Sequence, residues 1–218
     1  MLSLLQSRLP SDIVNAFFLE NEAYQMRLDE CMTEYDYSIL ETHPEFDVSD
    51  VLQYAAQDGN LTRVKWLAEE KGADIHADQG YALVVASEAG HAPVVQWLMA
   101  QGCDPRPQSA WPLRAACKEG HLECVKLLMQ CPDIYTRACT NKVPLVIAAI
   151  NGHCDIVRFL VESDYLVGVD SALLAAGMYG YLDICKVLPP PIPRNVEQLL
   201  QRCNHKHITD WIKSLRRV

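Results

Sequence analysis

Asn151-Gly152-His153-Cys154-Asp155-Ile156-Val157-Arg158-Phe159-Leu160 has two near copies earlier in the same chain. They are Glu119-Gly120-His121-Leu122-Glu123-Cys124-Val125-Lys126-Leu127-Leu128 and Ala89-Gly90-His91-Ala92-Pro93-Val94-Val95-Gln96-Trp97-Leu98. Working outward, the pattern extends to glycines at 59, 90, 120, 152 and 180, between 28 and 32 residues apart. Seven residues before each stands a leucine (Leu52, Leu83, Leu113, Leu145, Leu173), and four before each an alanine (Ala55, Ala86, Ala116, Ala148, Ala176). Eight residues after each is another leucine (Leu67, Leu98, Leu128, Leu160, Leu188). A period near 30 means stacked units, each too small to bury its own apolar face, that share a core by packing on their neighbours.

Each unit parses as two short helices. The first runs from about seven residues before the glycine to just short of it; its leucine and alanine, three apart, share a face. The glycine supplies a left-handed turn at little steric cost. The second helices are expected over Leu61–Ala68, Ala92–Met99, Leu122–Met129, Cys154–Val161 and Leu182–Leu188, with apolar stripes such as Val64/Leu67 and Ile156/Val157/Leu160. Aspartates 74, 104, 133 and 164 follow the second helices and open the connections. The period-two alternation of strands is absent.

Here the sequence resembles ankyrin repeats. The Gly-His segments quoted above carry the resemblance, together with Lys71-Gly72-Ala73-Asp74, and it covers about residues 50–188. It implies an all-α ankyrin-repeat solenoid with helical caps and little or no β structure. The family's Thr-Pro-Leu-His motif is reduced to Trp111-Pro112-Leu113-Arg114 and Val143-Pro144-Leu145-Val146. With a period below the usual value of about 33, this implies abbreviated connections in place of β-hairpin fingers.

The charge divides the chain into the same parts. The total is −9, from 19 basic and 28 acidic residues. Residues 1–49 carry 2 basic and 10 acidic groups, and residues 194–218 carry 6 and 2. We therefore expect an acidic helical N-terminal cap over 1–49, five repeats over 50–188, and a proline break with a basic helical C-terminal cap over 189–218. End units need a polar covering. Leu9-Pro10-Ser11-Asp12-Ile13-Val14 is similar to the start of an F-box, but that motif's later pattern does not follow. In the last segment Ile208, Trp211, Ile212 and Leu215 form one helical stripe, fit either to pack on the fifth unit or to lie on an anionic membrane; packing is preferred.

Composition limits the function. The 218 residues are 50% apolar and 22% charged, a globular composition. No apolar run approaches the roughly 18 residues of a membrane span, and residues 1–9 show no secretory signal pattern. An acidic chain is a poor general nucleic-acid binder. The nine cysteines are odd in number and contain no Cys-x-x-Cys pair, so reduced core thiols in an intracellular, cytoplasmic protein are expected. No cofactor, metal or small-molecule substrate is expected, and no catalytic residue is nominated. His91, His121 and His153 each follow a repeat glycine and should lie between the helices of their own unit, in packing or capping roles. At the roughly 10 Å spacing of packed helices they stand too far apart for one metal.

What the repeat offers is an extended concave face. Its positions one and two before each glycine are spared from stacking: Gln57/Asp58, Glu88/Ala89, Lys118/Glu119, Ile150/Asn151 and Met178/Tyr179. Read in order they change from acidic to mixed to apolar, which suits a partner with a hydrophobic anchor at one end and basic groups at the other. Tyr81, Arg106, Trp111, Tyr135 and Arg137 are expected in the loops beside them, and Trp, Tyr and Arg are frequent interface anchors. The reading is a non-enzymatic module that binds another protein through this face, as an adaptor or as a bacterial effector delivered into a host cell. The alternatives are a thiol- or histidine-dependent enzyme with its site in the flanks, and a peripheral membrane binder acting through the basic last helix.

Overall fold

The computed structural model describes residues 47–132, 134, 143–189, 194–200 and 205–215. The expected N-terminal cap therefore lies outside the described residues, except for its last few positions. Twelve helices are described, and no strand occurs among the described residues. They pair as α1 (Val48–Gln57) with α2 (Leu61–Glu69), α3 (Ala77–Glu88) with α4 (Ala92–Ala100), and α5 (Pro107–Glu119) with α6 (Leu122–Leu128). Next come α7 (Pro144–Asn151) with α8 (Cys154–Glu162), and α9 (Val169–Tyr179) with α10 (Leu182–Val187). The last pair is α11 (Arg194–Leu200) with α12 (Lys206–Leu215).

The first helices stack in one row, α1 on α3, α5, α7, α9 and α11 in turn, and the second helices α2 to α10 form a parallel row behind them. This is an all-α solenoid. Its core is the repeated set: Leu52, Leu83, Leu113, Leu145 and Leu173 on the first helices and Leu67, Leu98, Leu128 and Leu160 on the second are all buried. The alanines at 55, 86, 116, 148 and 176 are 0% exposed, and their small side chains let the row close up. Cys124 and Cys185 are buried in slots that Val and Ile fill in other units, next to Val125 and Ile184.

The connections use the aspartates singled out in the sequence. Asp74 Oδ1 accepts from the His76 N–H (2.8 Å) and Asp104 Oδ1 from the Arg106 N–H (2.9 Å), turning the chain without a hairpin. Ahead of the second unit's inner helix, Asp78, Gln79 and Gly80 are all left-handed, with φ of 51°, 62° and 77°. The regular helix begins only at Tyr81. Ala110 (φ 53°) sits at the matching place before Trp111. Each such residue other than glycine costs about 1–2 kcal/mol, a cost that the flanking packing must offset. Tyr81 and Trp111 thus open inner helices, and the expectation that they lie in loops is corrected. The sharp left-handed turn, invisible to a periodicity argument, moves the helix start forward.

The histidines also differ from expectation. His91, His121 and His153 occupy the N-cap positions of α4, α6 and α8, but none caps with its side chain. Their rings reach instead into the preceding unit. A Cβ on Gly59 would lie 2.3 Å from His91 Nδ1, one on Gly90 2.5 Å from His121 Nδ1, and one on Gly120 2.6 Å from His153 Cε1. Tyr181 takes the same role over Gly152. The repeat glycine is therefore fixed twice: by its left-handed turn and by the ring that lies on it.

His205 continues this series over Gly180. Its Nε2–H donates to the Met178 carbonyl at 3.0 Å, as that of His153 donates to the Lys118 carbonyl at 2.9 Å, and both carbonyls belong to the residue two before the glycine. The pair α11–α12 is thus a sixth helix pair in the register of the other five. Ile208 and Ile212, four and eight residues beyond Asn204, are buried at 0% and 1% exposure. Two residues of the apolar stripe that a membrane surface would need are thus used inside the protein, and Trp211 is half-buried beside them.

Candidate inner-helix binding face

The candidate face lies on α1, α3, α5, α7 and α9. Each first helix buries its leucine and alanine and so turns the opposite residues outward. Gln57, Asp58, Glu88, Lys118, Glu119, Ile150, Asn151, Met178 and Tyr179 are all exposed. Burying an apolar side chain is worth about 1.5–3 kcal/mol, so exposed apolar groups in a tightly packed repeat call for a reason. Met178 is 60% exposed, Tyr179 58% and Ile150 38%. Tyr179 stacks with Tyr181, ring centroids 6.2 Å apart.

Lys118 stands at the middle of the face. Its Nζ bonds to Glu119 and lies 3.7 Å from Glu88 Oε1 of the preceding unit. The hydrogen bond to Glu119, helped by both carboxylates, raises the Lys118 pKa, and the same bond lowers that of Glu119. Both groups stay charged near neutrality, so the row carries a fixed acid–base–acid cluster. The ring of His153, through its bond to the Lys118 carbonyl, ties this backbone to the next unit.

Two cavities open on the face. One, of about 330 Å³, has Trp111, Arg114, Lys118, Ile147 and Ile150 among its walls. The other, of about 290 Å³, is bounded by Asp50, Gln53, Tyr54, Gln57, Tyr81 and Val85. The rings of Tyr81 and Trp111, with centroids 5.7 Å apart, form the ridge between them. Asp50, Gln53, Tyr54, Arg114 and Ile147 are not among the positions expected from the repeat and stand one and two helical turns before them. The helical period of 3.6 was the signal that could have found them.

Not every nominated residue joins this group. Arg106 lies on the connection ahead of α5, and its Nε bonds to Asp104 Oδ1 at 2.7 Å. Tyr135 and Arg137 lie outside the described residues. Among the described residues no three His, Cys, Asp or Glu side chains converge on a metal position. Burial pushes the Cys103 thiol up to about 11, aided by Asp74, and that of Cys124 to about 11, aided by Glu123; it raises Cys117 as well. Thiols so held are protonated at neutral pH and make poor nucleophiles. Of the groups that the alternative of a thiol- or histidine-dependent enzyme site in the flanks could use, Cys31, His43 and Cys203 lie outside the described residues, while the His205 and His207 rings bond to the Met178 and Gly180 carbonyls. No helix of the described residues is long and apolar enough to cross a membrane.

The model of the family "Ankyrin repeats (3 copies)" matches the chain in four overlapping registers, over 36–109, 52–140, 83–170 and 113–194. The chain belongs to the ankyrin-repeat family. Two mouse proteins are similar to parts of the chain. The leucine-rich repeat serine/threonine-protein kinase 1 is 33% identical over 137 residues, which is 56% of this chain and 7% of the kinase. The fem-1 homolog A-like protein is 33% identical over 83 residues, 37% of this chain and 13% of that protein. The chain thus spans a small fraction of either relative. The crystal structure of the human ASB11 ankyrin repeat domain aligns at 21% identity with a TM-score of 0.40, covering 63% of this chain and 81% of that domain. The ankyrin assignment stands on the matched repeats. The family-model matches end at residue 194, where the sixth helix pair begins.

Proposed function

We propose that this ankyrin-repeat protein is a non-enzymatic module that binds another protein through its inner-helix face, as an intracellular adaptor. Ankyrin repeats are in general protein-interaction modules. The observation that carries the reading here is the exposure of Ile150, Met178 and Tyr179 in adjoining units, at positions that stacking does not require. An apolar patch rimmed by polar groups marks an interaction surface. The units bounding it are pre-organised by the histidine and tyrosine rings, so binding costs little ordering of the backbone. In this reading residues 1–49 and 189–218 flank five repeats as an acidic and a basic cap, the basic one built on the sixth helix pair.

The test is capture from a lysate by the tagged full chain, with the captured proteins identified by mass spectrometry. Ile150→Glu with Met178→Glu should lose the partner that the wild-type chain holds, while Lys126→Glu on the outer row should keep it. Lys118→Ala with Tyr135→Ala and Met178→Ala should weaken the same capture. Capture that survives all the inner-face substitutions would show the reading to be wrong.

A further inference from the structure

The inner-helix face is chemically polarised along the solenoid. At its first end the cavity walled by Asp50, Tyr54 and Tyr81 combines a carboxylate with aromatic rings. Asp78 stands beside it, its Oδ2 accepting from Gln53 Nε2 at 3.1 Å. Asp58 and Glu88 lie exposed in the same two units. Carboxylates beside tyrosine rings suit the cationic head of Lys or Arg, whose alkyl stem can lie along the ring. At the other end the matching positions hold Ile150, Asn151, Met178 and Tyr179, none of them charged. The two ends meet at the ridge of Tyr81 and Trp111.

Resting on the reading of this face as a protein-binding surface, we infer that its occupant is one segment of a partner protein that is basic at one end and apolar at the other. Its Lys or Arg side chains lie on the first two units, and a large apolar side chain lies on the fourth and fifth. Charge complementarity sets the direction, because the reversed segment would place cations against Ile150 and Met178 and leave the carboxylates facing apolar groups. The cluster of Glu88, Lys118 and Glu119 at the crossing point carries one net negative charge and so continues the acidic end as far as the third unit.

The experiment selects binders to the full chain from a random peptide display library, then compares each winner with a scrambled peptide of the same composition. Winners should carry their basic residues at one end and apolar ones at the other, and scrambling should weaken binding by at least about ten-fold. Asp50→Asn with Asp58→Asn and Glu88→Gln should flatten the salt dependence of binding. A photo-crosslinker on the basic end should label the first two units, and one on the apolar end the fourth and fifth. Winners that Ile150→Glu with Met178→Glu abolishes, but that are unsegregated or indifferent to scrambling, overturn this inference and leave the binding face standing. Winners untouched by that pair, or a library that yields none, overturn the reading of the face as well. A chain that sediments as a dimer and becomes monomeric with Met178→Glu assigns the apolar end to a second copy, and the inference falls.

Discussion

Leu200 fills the space that a side chain at Gly177 would occupy: a Cβ on Gly177 would meet Leu200 Cδ2 at 2.0 Å. The two residues are complementary departures from the repeat. Leu200 stands where the first five pairs have alanine, and Gly177 faces it where the earlier units have Ala56, Ser87, Cys117 and Ala149. Leu200 itself is fully buried. The sixth pair is thus fitted to the fifth by one enlarged and one diminished side chain.

This pairing can be read by a double-mutant cycle. In a helix interior Gly→Ala ordinarily stabilises by about 0.5–1 kcal/mol. Gly177→Ala should instead destabilise by about 1–3 kcal/mol through overpacking, and Leu200→Ala by about 2–5 kcal/mol through the cavity it leaves. The double variant should be more stable than the sum predicts, with a coupling of about 0.5–3 kcal/mol. Urea denaturation measures all four corners, and strict additivity would show that the two side chains do not share the space.

Gly120 and Gly102 separate two costs that the repeat glycines carry together. Both are left-handed, with φ of 89° and 94°, but only Gly120 lies under a ring, while nothing stands within 4 Å of a Cβ at Gly102. Gly102→Ala should cost about 1–2 kcal/mol of backbone strain, and Gly120→Ala more, because His153 must also move. Adding His153→Ala should relieve the excess of the second and leave the first unchanged. Equal losses at the two glycines in denaturant titrations would show the ring contact to be slack.

Lys118 should matter for binding and hardly at all for folding. Its bonds to Glu119 and Glu88 are exposed, and surface ion pairs contribute about 0–1 kcal/mol. Lys118→Ala should therefore change the urea midpoint little while altering capture of a partner. A large loss of stability would show instead that the cluster holds the units together.

Buried thiols should make the fold sensitive to alkali. Cys103 and Cys124 are raised from an ordinary 9.0 to about 11, first by burial. A raised pKa means that the native state keeps protons that the unfolded chain releases. The stabilisation is thus complete below pH 9 and is lost as pH rises toward 11. Stability should fall in that window by at most about 1.4 kcal/mol per pH unit for each such thiol, and more gently in Cys103→Ala and Cys124→Ala. Denaturation midpoints read at several alkaline pH values check it; an unchanged slope in the variants would assign the loss elsewhere.

Much of this molecule is dictated locally. Leucine, alanine and glycine at fixed offsets specify two helices and a turn in each unit, and the second helices end within one residue of where the stripes place them. Exposure at the residues just before each glycine follows from the same offsets, because a helix that buries one face must show the other. What the tertiary structure decided lies between units. The glycine at 120 is tied to a ring 33 residues later, and the sixth pair, which has Asn204 in the glycine slot, is recognised only by where His205 and Leu200 pack. The left-handed turn at 78–80 likewise shifts Tyr81 from a loop onto a helix, beside Trp111 of the next unit. Periodicity reports which face of a helix is buried, a property of consecutive residues. It is silent on which side chain from a neighbouring unit fills a given space, because that depends on volumes meeting across a distance that the chain order does not encode.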